Sequence, residues 1–593
     1  MKRIFFAALL ACALAAPFFA KGQKLPRGGQ TLFEPRHWIY DALQILEEEC
    51  AIVQFSDQAP ITLNQVRAML LEIDEEKLSE AGKIQYNRIL DYFTETNFEA
   101  CASVFQARIE PEANLEFYVK TNKNVPWMYD RYEKRPFLYL PVTLGAGDWV
   151  TLFADISVSI NKTAKEDPDT FFNIPHSEPT FDVNLPHNAY GSFGYAITDT
   201  VGFNIRVSNI PEAFGRADTG SILQSGRIMD ATSAAISIYS PIAQYTGSLT
   251  QLNTKRYLYA HKVDARIAKK VQISFMEAAL PYGNLDLRFF NPMMFLHNYT
   301  SWLDYTPDGS DVGSYLGIKL NAAPMKCLRF FALWSMTQFQ LPTELGDDNT
   351  DPDNYVPNAM GLQGGLESYI PIKRGHLHLD IDGYYANPYL YINSSPNWSM
   401  VKTSGESNSG SSDFYEWLGT KYGPDTAAAS FRAEYEVPEK WSAGFKYLFL
   451  ARGEFSDSGI FTKIGWGSRI FDLSDEALSG WVYPYITASD GSTRFSGRYK
   501  NGRHFAAPTG IPEWVNAIAV YGSFWPARWL KLAGQASLAF VSNSGHVEGN
   551  NDISFECVLG AQVKFTKLKK ENKNNKAVEA AEEKHGDTEI VEK

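Results

Sequence analysis

The chain has 593 residues, 21% charged, 45% hydrophobic and 14% aromatic, with a formal net charge of −13. That acidic balance excludes a nucleic-acid binder, which needs a basic face to meet phosphates. Slightly negative mean hydropathy, and no run past the leader of about 18 uninterrupted apolar residues, exclude a helical membrane protein.

Residues 1–20 read as a secretory signal peptide. Met1-Lys2-Arg3 is a positive start, 4–19 is apolar, and Ala13, Ala15 and Ala20 are small residues suited to cleavage. Cys12 sits in a loose lipoprotein box inside that run and is expected to leave with it. The mature chain is then exported, either soluble or as a β-barrel.

Residues 24–100 read as a helical domain. Trp38, Leu43, Ile45 and Leu46 share one amphipathic stretch. Thr62 and Gln65 make a capping box ahead of Val66, Met69 and Leu70. A third helix carries Ile84, Ile89, Leu90 and Phe93. The acidic runs Glu47-Glu48-Glu49 and Asp74-Glu75-Glu76 are expected on a solvated face. Cys50, Cys101, Cys327 and Cys557 form no C-x-x-C pair, so no zinc site is expected; Cys50 and Cys101 could bridge.

From Val104 the period changes to two. Residues 150–161, 202–208, 316–321 and 429–437 alternate apolar with polar side chains, as strands do when their two faces meet different media. Short turns are expected near 145–148, 198–200, 240–242, 268–270, 323–326, 373–375, 438–440 and 525–528. Between them lie long Gly-, Ser- and Asn-rich segments, notably 281–312, 388–425 and 452–512. Short turns at one end and long loops at the other make an outer-membrane barrel pattern. Eight turns give about sixteen strands; a first near 103–121 and a last near 552–565 bring the count to eighteen. The fold class expected is all-β, a transmembrane antiparallel β-barrel of 16–18 strands over 103–566, with a small N-terminal α-helical domain. Trp149, Tyr239, Trp441, Trp525 and Trp529 flank short turns, as an interfacial girdle would. Residues 567–593 are charged, lack aromatics and read as a disordered tail. Head and tail join the short-turn side, so both are placed in the periplasm.

Catalytic motifs are absent: no P-loop, no H-E-x-x-H, no G-x-S-x-G. An enzyme is not expected, nor a cofactor or a metal. His376, His378, Asp380 and Asp382 share one strand face and read as lumen-facing polar residues. Asp155, Arg206, Asp264, Arg266, Glu277, Lys319, Arg432, Glu434 and Lys446 are assigned to the same lumen lining. Such charges either pair across the lumen and fill it, or line a channel. Aromatic residues in the long loops (Tyr299, Trp302 and Tyr305; Tyr389, Tyr391 and Trp398; Tyr415 and Trp417) are candidates to stack on sugar rings.

Several stretches resemble the capsule-assembly Wzi family of outer-membrane proteins, most of all its spirochaete-type members. They are residues 37–43 (HWIYDAL), 255–261 (KRYLYAH), 287–298 (LRFFNPMMFLHN), 417–425 (WLGTKYGPD) and 508–513 (PTGIPE). The resemblance implies an eighteen-strand barrel whose periplasmic end is occluded by helices. It also implies a non-enzymatic lectin for surface polysaccharide, with the lipid bilayer as its other partner. The alternative function is an outer-membrane channel plugged by the N-terminal helices.

Overall fold

The computed structural model describes residues 27–94, 98–102, 104–122, 125, 130–161, 180–184, 188–228, 231–296, 312–338, 359–392, 398–406, 412–453, 485–487, 493–495, 506–508 and 511–565. The leader and the tail lie outside the described residues, as do Tyr299, Trp302 and Tyr305.

Eighteen strands close into one antiparallel barrel. We label them in chain order. β1 is Phe105–Ile109 continued by Glu112–Lys120, broken at Pro111; β2 is Leu138–Ala146, β3 Val150–Asn161, and β4 Thr180–Asn184 continued by Ala189–Ala196. β5 is Gly202–Ser208, β6 Thr232–Tyr239, β7 Ala243–Asn253, β8 Arg256–Ile267 and β9 Val271–Pro281. β10 is Val312–Met325, β11 Leu328–Gln338, β12 Ala359–Ile372, β13 Gly375–Ala386 and β14 Thr426–Val437. β15 is Trp441–Arg452, β16 Glu513–Ala527, β17 Leu530–Ser542 and β18 Asn551–Lys564. Closure is made by β18 pairing with the Glu112–Lys120 half of β1. Beside the other half of β1 lies a short strand, Phe98–Ala102, which leads the chain from the head into the wall.

All eight expected turns mark connections between paired strands at one end of the barrel, although at 323–326 and 525–528 the strands run on and the turns are 326–327 and 528–529. A further tight turn, 254–255, joins β7 to β8 at the opposite, long-loop end.

The period-two pattern sorts side chains between two environments. On β8, Lys262, Asp264 and Arg266 are buried inside, while Val263 and Ile267 are exposed outside. Outward Leu152, Val207, Ile318, Leu362, Ile381 and Val520 are likewise exposed, which makes an apolar band that lipid, not water, would cover. Trp149, Trp441 and Trp529 stand exposed beside their turns, with Trp525 half-buried.

Two expectations about facing are corrected. Glu277 does not line the lumen. The β8–β9 register sets it opposite His261, one step out of phase with the Lys262↔Met276 pair, so it points outward. Tyr239 is no girdle residue: it is buried, with its ring stacked on Phe55 of the head at 6.2 Å.

The head occupies the short-turn half of the lumen. Its helices are α1 (Ile39–Cys50), α2 (Leu63–Leu70) and α3 (Glu80–Thr94). Thr62 caps α2 reciprocally with Gln65, each side chain accepting from the other's backbone N–H. Helix α1 stops where Ala51 turns left-handed and returns its N–H to the last carbonyls. Phe33, Ile39, Leu43, Leu46, Val66 and Ile89 form its apolar centre. The acidic face of α1 is not solvated, contrary to expectation: Glu47, Glu48 and Glu49 are all buried. A helix inside a polar lumen meets charged walls where a surface helix meets water. All four described cysteines are free, so Cys50 and Cys101 are unbridged.

Candidate functional site

The lumen is filled from both ends. From the short-turn end, the head docks through charge pairs with the wall. Arg266 grips Glu72 with two bonds of 2.6 Å and donates to the Val53 carbonyl at 3.0 Å. Lys319 meets Asp57 of the head and Asp264 of the wall, the latter at 3.3 Å. Asp264 also accepts from Ser56 at 2.7 Å and Gln58 at 2.8 Å. On the neighbouring strands β11 and β12, Arg329 binds Glu367, which also accepts from Gln44 of α1. Glu48 accepts from the Tyr369 N–H at 3.1 Å, and Glu49 contacts His376 at 2.6 Å. Asp155 is buried on the lumen side of β3 and accepts from the Asn188 N–H at 2.8 Å.

From the long-loop end, the β5–β6 connection folds inward. Its Glu212 takes Lys262 at 2.6 Å and Arg206 at 3.3 Å. Its Asp218 gathers three cations: Lys446 at 2.6 Å, Arg432 at 3.3 Å and Arg131 at 3.7 Å. Arg131 arrives from the β1–β2 connection and also reaches Glu434 at 3.4 Å. Asp382 accepts from Thr219 of the inward loop, and Asp380 lies 3.6 Å from Arg432. The two fillings touch: Ala59 and Ala213 exchange backbone bonds of 2.9 Å, and Arg216 pairs with Asp41 of α1.

Above this loop sits an apolar lid. Ile222 and Leu223 pack under Tyr315, Tyr389, Tyr391 and Trp417, and the Ile222 carbonyl accepts from Tyr315 at 2.8 Å and Tyr391 at 2.6 Å. Gly419 is required there, since a side chain would strike the Tyr391 hydroxyl. The expected outward-facing aromatics are therefore corrected in part. Tyr389, Tyr391 and Trp417 are buried because inward-folded loop backbone offers their rings an apolar floor; Trp398 is half-buried. The Tyr415 side chain lies outside the described residues.

Asp218 and Glu212 went unnoticed in the sequence because loop charges carry no period to mark them. Among the described residues no group of three or more metal-ligating side chains converges. His376 and His378 are spent on Glu49 and on stacking with Tyr369 at 3.9 Å.

Head docking should depend on pH from both sides. Burial, reinforced by the nearby Glu367 carboxylate, pushes Glu48 up to about 8. Its contribution is complete below the ordinary carboxylate range and lost as pH rises through about 8. Burial also opposes the charge on Asp57, but Lys319 outweighs it and holds that carboxyl below its usual range. The Asp57 contribution is present above the ordinary range and lost as pH falls through its lowered pKa. Thermal release of the head, followed by protease cutting, is expected at lower temperature at about pH 9 than at about pH 6. Glu48→Gln should flatten that alkaline limb; an unchanged limb would remove Glu48 as its cause.

No family model and no curated protein matches the chain. Among solved structures it is similar to Wzi of Escherichia coli, described as an outer membrane protein involved in group 1 capsule assembly and a carbohydrate-binding β-barrel. The identity is 11%, covering 89% of this chain and 98% of that one, with a TM-score of 0.54. OprD of Pseudomonas aeruginosa matches at 8% identity over 78% of this chain and 96% of that one, TM-score 0.36. OmpT of Vibrio cholerae matches at 8% over 78% and 98%, TM-score 0.29. The likeness is one of fold: this is a barrel of the outer-membrane kind.

Proposed function

We propose that the protein is a non-enzymatic, Wzi-like outer-membrane barrel that binds or organises surface polysaccharide at its long-loop mouth. Head and tail then sit in the periplasm. The observation that carries this reading is the occupied lumen. Charges that would line a diffusion channel are instead consumed by the head and the inward loop, so the surface left for a ligand is the mouth. The likeness to a carbohydrate-binding barrel, over nearly the whole of that protein, points the same way. Half-buried Trp398 at the lid's edge offers an indole face suited to a sugar ring.

The test is a broad glycan array probed with full-length protein in micelles. Binding to acidic or neutral polysaccharide, weakened by Trp398→Ala, is expected. Absence of binding to any glycan, by full-length and head-deleted protein alike, would overturn the reading.

A further inference from the structure

Residues 283–296 leave β9 away from the mouth. They fold back along the outer wall. Gly283 donates to the Lys255 carbonyl at 2.9 Å, and the Asp286 N–H donates to the Tyr259 hydroxyl at 2.8 Å. A single helical turn, Leu287–Phe290, is capped by Asp286. Asn291 then holds the backbone of Met293 at 3.1 Å. The underside is apolar: Phe289 and Leu296 bury themselves on Tyr259, Ala279 and Val312. Tyr259 is two positions from outward His261, and Ala279 pairs with it directly, so the segment rests on the wall's outer face.

Its upper side is apolar as well. Met293 is 86% exposed, Leu287 74% and Phe295 64%. A framework this closely hydrogen-bonded fixes them outward; they are not waiting to fold in. Height decides what they meet. β8 and β9 have 12 and 11 residues, about the length that crosses a bilayer when tilted, with little left to rise above it. At about 3.3 Å per residue and a tilt near 40°, Tyr259 stands only about 20 Å above outward Ile267. That is within the roughly 25 Å apolar band of such barrels.

We infer that residues 283–296 form a lipid-embedded flap, with Leu287, Met293 and Phe295 seated among the acyl chains of the leaflet at the long-loop end. Continuity with the apolar band selects lipid as the occupant. The inference rests on the barrel's place in a bilayer and on no glycan ligand, so failure of glycan binding leaves it standing.

The test uses the unaltered full-length protein in phosphatidylcholine vesicles. An apolar diazirine dissolved in the lipid labels what the chains touch; chloramine-T in the water oxidises exposed methionine. Adducts on 283–296 are expected at a density like that around outward Leu152, with Met293 oxidised several-fold more slowly than in the urea-unfolded chain. Rapid oxidation of Met293, with or without adducts, would overturn the flap. Neither adducts nor oxidation would also overturn it, and would mean that a second copy of the chain covers the face.

Discussion

Refolded into a planar bilayer, the full-length protein is expected to carry no steady current, and deletion of residues 27–94 is expected to leave it closed. Eighteen strands enclose enough width for an aqueous channel, so closure has to come from what fills the barrel. The head fills only the short-turn half. Removing it breaks the Ala59–Ala213 bonds and the Arg216–Asp41 pair. Deletion also removes the Tyr40 ring from beneath Arg216, but the loop's remaining ionic anchors lie outside the head. Asp218 keeps Lys446, Arg432 and Arg131, Glu212 keeps Lys262 and Arg206, and Ile222 keeps Tyr315 and Tyr391. Only a double variant, with the head deleted and residues 213–226 replaced by a short glycine linker, is expected to open in porin-like steps. Steady conduction by the head-deleted form alone would show that the loop is no barrier. Conduction by the full-length form would restore the channel reading and demote the glycan one.

How much of this was legible in the sequence follows from which environments repeat. The wall was legible because lipid and lumen alternate every residue: the eight turns, the first and last strands and the inward Asp264, Lys319 and Arg432 all follow from period two. Helix α2 was legible because Thr62 and Gln65 cap it locally. The phase of Glu277 was open to the same reading, since it shares a face of β9 with outward Ile273 and Phe275, and its charge masked that. Two things were hidden because they depend on distant partners. The burial of Glu47, Glu48 and Glu49 depends on Arg329, His376 and Arg266, more than two hundred residues away. The inward turn of the β5–β6 loop depends on cations on β14 and β15 meeting Asp218. An acidic helix and an aromatic loop are surface features when water is the only polar medium; a charged lumen is a second one.

Lys319→Met is expected to cost the most stability of any single change in the lumen. The ammonium is fully buried and lies at the junction of all three layers. It pairs with Asp57 of the head and with Asp264 of the wall, and it sits 4.4 Å from the ring centre of Phe214 in the inward loop. Methionine keeps most of the volume and removes the charge, which isolates the electrostatic effect. Two carboxylates would then be left buried without their cation, a loss of about 3–5 kcal/mol when one partner of a buried pair is removed. Asp264 retains hydrogen bonds from Ser56, Gln58 and Ser274, whereas Asp57 retains Asn321 at 3.2 Å. The strain should therefore fall mainly on Asp57, and the first consequence should be release of the head with the wall still closed. Protease cutting within 27–94, at a denaturant concentration where the barrel still resists heat on gels, would report that release. Adding Asp57→Asn removes the stranded charge and should return most of the loss, since an uncharged amide can share Asn321 without a cation. A Lys319→Met protein whose head stays as resistant as the parent's would mean that water reaches this junction, and the lumen would then be a wet vestibule and not a filled core.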